Sequence, residues 1–202
     1  MARSKANGAN GNGVRSKRAY DESAIKSLDA LEHIRLRTGM YIGRVGDGTH
    51  HDDGVYVMLK EVVDNAIDEY IMGNGKRVEI KRDGDTVQIR DYGRGIPLGK
   101  VVECVSQINT GGKFNDDVFQ FSVGLNGVGT KAVNALSSSF EVVSFREGKY
   151  KRAAFEKGHL VEEKGGRDGK ARNGTLITFT PDPEIFPRLS WNEDYIEHRL
   201  SY

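Results

Sequence analysis

Helical and strand-like periodicities alternate along this chain of 202 residues. Apolar residues recur near helical spacing in 20–37, and a longer periodic run in 55–73 ends at a glycine, so both segments predict helices. Residues 77–97 alternate apolar and polar positions around an Asp-Gly pair, which predicts a β-hairpin. A short apolar run in 101–108 predicts a further helix.

Four more strand-like runs, separated by glycine turns, occupy residues 140–183 and predict an antiparallel meander. Asn192 is the expected N-cap of a final helix, which stops abruptly at Tyr202 and suggests a piece cut from a longer protein. The elements do not follow a repeated βαβ order. The predicted fold class is therefore α+β, with a mixed, mostly antiparallel sheet and helices on one face.

A glycine-rich motif, "GLNGVG", spans residues 124–129 directly before another helix-like run. Glycine allows a close backbone approach, and the unpaired N–H groups at a helix start attract anions. The motif therefore predicts phosphate binding. Its G-x-x-G-x-G spacing differs from the G-x-G-x-x-G of dinucleotide-binding domains and from the P-loop pattern, which disfavours both classes.

Charge is balanced overall at +1, but residues 1–18 contain five basic and no acidic residues. This segment predicts a disordered basic tail, and residues 19–202 are expected to form one domain. No apolar stretch is long enough for a membrane span or a secretory signal. The single cysteine, Cys104, is expected in the core, and a cytoplasmic location fits this cysteine usage.

The helix predicted at 55–73 places Glu61 and Asn65 on one face, one turn apart, together with Asp64 and Asp68. Leu59, Val63, Ala66 and Tyr70 fall on the opposite face. One interpretation is a solvated polar stripe on an amphipathic helix. The other is a catalytic face, since an amide oxygen suits Mg²⁺ and a carboxylate one turn away can activate water.

Asp91 ends a strand that should be buried, in the segment "RDYGRGIP". A buried carboxylate is costly unless it is paired. Asp91 is therefore either a turn-forming residue before Gly93 or an acceptor for an exocyclic amine such as adenine N6. A later Gly-Thr pair, Gly174-Thr175, carries almost no information by itself.

The order and spacing of these motifs resemble the Bergerat (GHKL) ATP-binding fold. The segments "EVVDNAIDE", "DYGRGIP", "TGGKF" and "VGLNGVGTKAVNALS" are most similar to the B subunits of bacterial type II topoisomerases, over about residues 20–180. Within that family the pattern favours the topoisomerase IV branch over the gyrase branch. The resemblance implies an ATPase domain that uses Mg²⁺ and precedes a transducer domain.

By this resemblance Glu61 is the general base, Asn65 holds Mg²⁺, and Asp91 and Thr175 bind adenine. The backbone of residues 125–129 cradles the phosphates, Lys113 adds a phosphate contact from a lid, and Val62 and Ile177 form apolar walls. Arg146 points towards the pocket from a neighbouring strand. The implied nucleotide contacts are completed by Tyr20, Arg94, Gly95, Ile96, Pro97, Gly124, Leu125, Asn126, Gly127, Val128, Gly129 and Thr130.

Two departures from the family pattern affect the expected catalysis. The family has a histidine one turn before the glutamate, whereas this chain has Val57, so Tyr56 or another group would orient the base. The family also supplies a γ-phosphate-sensing lysine from the transducer domain. We therefore expect this chain to bind ATP with little turnover.

The implied partners are a second copy of the same chain, the DNA-cleaving A subunit of topoisomerase IV or gyrase, and double-stranded DNA. Inhibitors that compete with adenine are also expected. Alternative interpretations are a non-catalytic nucleotide-binding or dimerisation module, or a sensor histidine kinase with His33 as phosphoacceptor. A dinucleotide-dependent oxidoreductase is a further alternative that the glycine spacing disfavours.

Overall fold

The computed structural model describes residues 29–108, 110 and 127–201. The predicted helices, the hairpin and all four later strands are present, whereas the basic tail and residues 20–28 lie outside the described residues. The helices are α1 (Ala30–Leu36), α2 (Gly39–Ile42), α3 (Gly54–Ile71), α4 (Val101–Ser106), α5 (Gly129–Ala135) and α6 (Glu193–Leu200). The strands are β1 (Val78–Asp83), β2 (Thr86–Asp91), β3 (Ser137–Arg146), β4 (Lys149–Glu156), β5 (His159–Arg167) and β6 (Gly174–Pro181).

The six strands form one sheet in the order β1-β2-β6-β3-β4-β5, and every described pair is antiparallel. The predicted meander holds for β3 to β5, but the prediction is wrong for β6, which inserts between β2 and β3. β6 takes a central position because it buries Ile177 and Phe179. β5 is largely exposed and charged, and charged strands are tolerated at sheet edges.

The core lies between the helices and one face of this sheet. Val87, Phe179, Phe140 and Phe155 stand side by side across four strands, and all four are buried. Since side chains alternate along a strand, the same face of β2 continues through Ile89 to Asp91. The sheet therefore carries one carboxylate at the end of an apolar row, under the helical layer.

Tyr56 joins α3 to two distant segments. The side chain is fully buried, and its hydroxyl donates to the Gly48 carbonyl at 2.6 Å while accepting the Asn192 N–H at 2.9 Å. Its ring meets Trp191 edge to face. These contacts overturn the expectation that Tyr56 orients Glu61.

The C-terminal helix α6 begins as the sequence predicts. The Asn192 side chain accepts the N–H of Asp194 at 2.9 Å, which is an N-cap bond. Cys104 is half-buried on α4 rather than a full core residue, and burial raises the pKa of its thiol. Among the described helices, none combines the length and apolar character needed to cross a bilayer.

Removing the Tyr56 hydroxyl should destabilise the domain without changing its packing shape. Tyr56→Phe leaves the Gly48 carbonyl and the Asn192 N–H without their buried partner, so we expect a loss of about 1–3 kcal/mol in the free energy of unfolding. Urea denaturation measures this loss. The control is Tyr195→Phe on α6, and equal stability of Tyr56→Phe and wild type would contradict the prediction.

Candidate functional site

One face of α3 carries three polar side chains at intervals of one turn: Glu61, Asn65 and Glu69. The solvated-stripe interpretation is wrong for the other acids on this helix, because Asp64 and Asp68 are buried. Lys60 pairs with Asp64 through two contacts of 2.7 and 2.8 Å.

Tyr70, expected on the apolar face of α3, is 61% exposed. It lies in the last turn of the helix, past most of the buried positions. The apolar face of α3 therefore ends before Tyr70, and the exposed ring is not part of the core.

The first two residues of the polar face meet the glycine motif. Asn65 Nδ2 donates to the Glu61 backbone carbonyl at 2.8 Å and to Thr130 Oγ1 at 2.9 Å. A Cβ atom on Gly129 would collide with the Glu61 carboxylate in its present position, so a larger residue there would displace this side chain. Gly129 begins α5, as predicted. The motif and the candidate base therefore touch.

Asp91 lies at the other end of the site and is 8% exposed. Within the described residues, both hydrogen bonds to its side chain end on Oδ1, from the N–H of Gly93 at 2.9 Å and of Thr175 at 3.1 Å. Burial raises the pKa of Asp91, and these two bonds partly oppose the rise. Oδ2 is then the oxygen that can accept from a ligand amine.

The Gly174-Thr175 pair sets how closely β6 approaches β2. Gly174 has φ of +131°, a value that L-residues rarely adopt, and a Cβ there would strike the Asp91 carbonyl oxygen. Glycine therefore lets β6 approach β2 closely enough for the Thr175 N–H to reach Asp91. The structure places both predicted base-contacting residues together.

Glu69 links α3 to the loop after Asp91. The sequence pattern did not single out this residue. Its carboxylate accepts the Arg94 N–H at 2.9 Å, Nε at 3.2 Å and Nη2 at 2.9 Å. Two turns beyond Glu61, it falls on the same helical face, so the periodicity contained the signal. The pair attaches the loop after Asp91 to α3.

The rest of that loop is seated on β3. Ser144 Oγ donates to the Ile96 carbonyl at 2.6 Å, and Arg146 Nη1 donates to the Gly95 carbonyl at 3.3 Å. Ile96 packs on the core, whereas Pro97 is exposed. Arg146 therefore reaches the loop from the neighbouring strand, as expected, and Val62 and Ile177 are buried in the core.

Arg90 lies beside the Asp91 backbone and carried no sequence signal, because Phe145 and Arg172, which it also contacts, are distant in the chain. Its guanidinium lies 4.6 Å from the ring centre of Tyr92 and 4.7 Å from that of Phe145. It donates to the Asp91 carbonyl and, at 2.6 Å, to the Arg172 carbonyl. Burial lowers the pKa of Arg90 below its ordinary value.

Five predicted contacts lie outside the described residues: Tyr20, Lys113, Gly124, Leu125 and Asn126. The described part nevertheless brings Glu61, Asn65 and the start of α5 into direct contact. Asp91 and Thr175 meet at the opposite end. Such a pair of subsites suits a ligand with a hydrogen-bonding base at one end and an anionic group at the other.

The raised pKa of Asp91 predicts a pH-dependent stability difference. The Asp91 carboxyl binds its proton more tightly in the folded protein than in the unfolded chain. This difference stabilises the folded protein fully below the unfolded-state pKa of about 4. The stabilisation disappears as pH rises through the pKa of Asp91 in the folded protein. Asp91→Asn lacks this loss and keeps an Oδ1 acceptor. Its free energy of unfolding relative to wild type should therefore increase from acidic to neutral pH.

Urea denaturation at a series of pH values measures this difference. Asp85→Asn, at an exposed position in the β1–β2 turn, is the charge-matched control. A relative stability of Asp91→Asn that falls as pH rises would contradict the assignment of a raised pKa.

Comparison with known proteins agrees with this geometry. The chain is 60% identical over 181 residues to the B subunit of DNA topoisomerase 4 from Borreliella burgdorferi, covering 90% of this chain and 30% of that protein. It is 40% identical over 194 residues to the B subunit of DNA gyrase from Thermus thermophilus, again covering 90% and 30%. The chain thus spans about a third of the length of these curated relatives.

A solved structure shows the same arrangement of elements. The 43K ATPase domain of Thermus thermophilus gyrase B, in complex with an aminocoumarin, matches with a TM-score of 0.69 and 32% identity, covering 84% of this chain and 44% of that one. A model of the histidine kinase-, DNA gyrase B- and HSP90-like ATPases matches residues 50–185, the segment that contains Glu61, Asp91 and α5. The chain belongs to this ATPase family.

Proposed function

We propose that this chain is the ATP-binding and ATP-hydrolysing domain of the B subunit of a bacterial type II topoisomerase. The observation that carries the proposal is the contact between the Glu61–Asn65 face of α3 and the glycine motif at Gly129 and Thr130. This contact places a carboxylate and an amide beside a candidate phosphate cradle. The similarity to the B subunits of topoisomerase 4 and gyrase supports the same function.

We favour the topoisomerase IV branch over the gyrase branch because identity to the topoisomerase 4 protein of Borreliella burgdorferi reaches 60%, against 40% for the gyrase protein of Thermus thermophilus. This preference rests on the Borreliella relative, since the topoisomerase 4 protein of Streptococcus pneumoniae is 38% identical.

Adenine would be recognised at Asp91. Because backbone N–H groups occupy Oδ1, Oδ2 would accept from the adenine N6 amine, and Thr175 would complete the base contact. Val62, Ile96 and Ile177 supply apolar surface for a flat ring. Arg94, fixed by Glu69, would flank the pocket mouth.

The phosphate end fits a magnesium nucleotide. Asn65 points its Nδ2 at Glu61 and Thr130, and its amide oxygen is a hard ligand of the kind that Mg²⁺ prefers. When bound, Mg²⁺ would supply charge neutralisation at the phosphates. Glu61 would take a proton from the attacking water as general base. Val57 stands where the family has a histidine and packs against the core, and the Glu61 carboxylate lies close to Gly129.

The larger assembly follows from the same family relationship. ATP binding would clamp two copies of the chain around double-stranded DNA, and hydrolysis would release the clamp. The A subunit of topoisomerase IV or gyrase would cleave the DNA, and adenine-competitive inhibitors would occupy the Asp91 end. We expect the 202-residue chain by itself to hydrolyse ATP slowly.

The alternatives are less well supported. A phosphoacceptor role for His33 is disfavoured, because the chain is similar over 90% of its length to the B subunits of topoisomerase 4 and gyrase. A non-catalytic binding module would not need Glu61 held against the start of α5. The two experiments that follow separate binding from hydrolysis.

A non-hydrolysable ATP analogue with Mg²⁺ should stabilise the wild-type chain. At about 100 times its dissociation constant, the analogue adds roughly 2.7 kcal/mol to the free energy of unfolding. Asp91→Asn should lose this effect, because Oδ1 stays on the backbone donors and Nδ2 then faces the N6 amine, donor against donor. Thermal-shift titration measures the effect, with Asp85→Asn as control. An undiminished shift in Asp91→Asn would remove adenine from this site.

Glu61→Gln should separate binding from chemistry. The amide keeps the shape of the side chain but cannot accept a proton, so analogue binding should stay within about twofold while ATP hydrolysis falls by roughly 10²-fold or more. Phosphate release over long incubations at high protein concentration measures the slow rate. Glu156→Gln, on the exposed end of β4, is the control. Hydrolysis by Glu61→Gln at the wild-type rate would refute the general-base role.

A further inference from the structure

Two histidines and an aspartate stand at consecutive positions in the loop before α3. His50, His51 and Asp52 each offer one potential ligand atom, and these atoms lie within 4.8 Å of one another. The proposed ATPase chemistry uses none of the three. Imidazole nitrogens with a carboxylate oxygen are a donor set that Zn²⁺ commonly takes in proteins.

The three side chains already share one small region. The two imidazole ring centres are 4.5 Å apart, with an angle of 32° between the ring planes. His51 Nε2 lies 3.3 Å from Asp52 Oδ1. His50 Nδ1 accepts the Asp52 N–H at 3.2 Å. The potential metal-ligand atoms therefore lie close together with the backbone in its present conformation.

A buried carboxylate fixes the loop that carries them. Asp53 is fully buried, and its Oδ2 accepts the N–H of Gly48 at 2.9 Å and of His50 at 3.1 Å. Arg44 Nε lies 2.9 Å from the other oxygen, Oδ1. Because these bonds already order the backbone of the loop, ion binding would not have to overcome the entropic cost of ordering it.

Helix α6 supports the same loop from the other side. Arg199 Nη2 donates to the His51 backbone carbonyl at 3.2 Å, and the His51 ring lies 6.2 Å from that of Tyr195. Arg44 is paired with the Asp53 carboxylate, whereas Arg199 keeps its positive charge beside the His51 backbone. Asp52 supplies the negative charge that faces the imidazoles.

We propose that His50, His51 and Asp52 form a site for a borderline transition-metal cation such as Zn²⁺, with the fourth coordination position open to solvent. Zn²⁺ with bonds of about 2.0–2.1 Å needs ligand atoms about 3.3 Å apart in tetrahedral geometry, so the side chains must close slightly around it. His51 and Asp52 are exposed and can rotate to do so. Ligation by His50 exchanges its bond from the Asp52 N–H for a metal bond.

This site differs in chemistry from the magnesium position proposed at Asn65. Mg²⁺ prefers oxygen ligands in octahedral geometry, whereas two imidazoles select Zn²⁺, Co²⁺, Ni²⁺ or Cu²⁺. An excess of Mg²⁺ should therefore not displace the ion. Nucleotide binding and metal binding at this loop can then be measured independently.

Calorimetric titration of the 202-residue chain with ZnCl₂, in a buffer with excess Mg²⁺, tests the proposal. We expect one saturable site in the wild type and an affinity at least about tenfold weaker in the double variant His50→Gln/His51→Gln. His159→Gln, an exposed histidine on β5, is the matched control and should bind as the wild type does. With Co²⁺ in place of Zn²⁺, visible absorption bands should appear for the wild type and for His159→Gln but not for the double variant.

Asp52→Asn keeps both imidazoles and tests the carboxylate separately, with a smaller loss of affinity expected. Unfolding midpoints without metal should match among all variants, which shows that the loop still folds. Absence of saturable Zn²⁺ binding in the wild type would overturn the proposal. Equal affinities of the wild type and the double variant would overturn it as well.

Discussion

The site depends on helix α3, because its two opposite sides make different contacts. Its apolar side packs on the sheet, while Glu61, Asn65 and Glu69 point one above another along the opposite side. At a rise of 1.5 Å per residue, the first and last of these are about 12 Å apart along the axis. The helix contacts the glycine motif at one end and, through Arg94, the Asp91 loop at the other. A rotation of α3 by one residue would misplace both subsites.

Two buried carboxylates of this domain, Asp91 and Asp53, each accept two hydrogen bonds from backbone N–H groups. A backbone donor stabilises a carboxylate without cancelling its charge, so Asp91 keeps its capacity to accept from a neutral amine. Arg90 contributes differently, since it donates to the Asp91 backbone carbonyl and its positive charge also opposes the rise in the pKa of the Asp91 carboxyl.

Much of this arrangement could be predicted from the sequence, because its signals are local. The periodicity of α3, the β1–β2 hairpin and the Asn192 cap each depend on residues close together in the chain. The place of β6 could not be read in the same way, since strand order depends on which edges are charged and which are apolar. The partners of Arg90 and the role of Gly174 were also hidden, because each requires knowing which distant segment lies alongside.

The burial of Asp64 and Asp68 shows a second limit of sequence patterns. A helical wheel places both acids beside Glu61, yet the sheet and neighbouring helices cover a wider arc of α3 than its apolar residues mark out. Lys60 lies one turn before Asp64 and supplies its ion pair. Periodicity therefore marked out the polar face that carries Glu61 and Asn65, but it underestimated how much of the remaining surface of the helix is buried.

The insertion of β6 between β2 and β3 has a consequence for how the protein folds. The Asp91–Thr175 contact spans 84 residues of sequence, so it belongs to the slow, non-local part of folding. Until residues 174–181 arrive, the β1–β2 hairpin presents an open strand edge on the side of β2 that later becomes the centre of the sheet. During synthesis that edge is available to other chains, and the Asp91–Thr175 end of the site cannot form before it is closed.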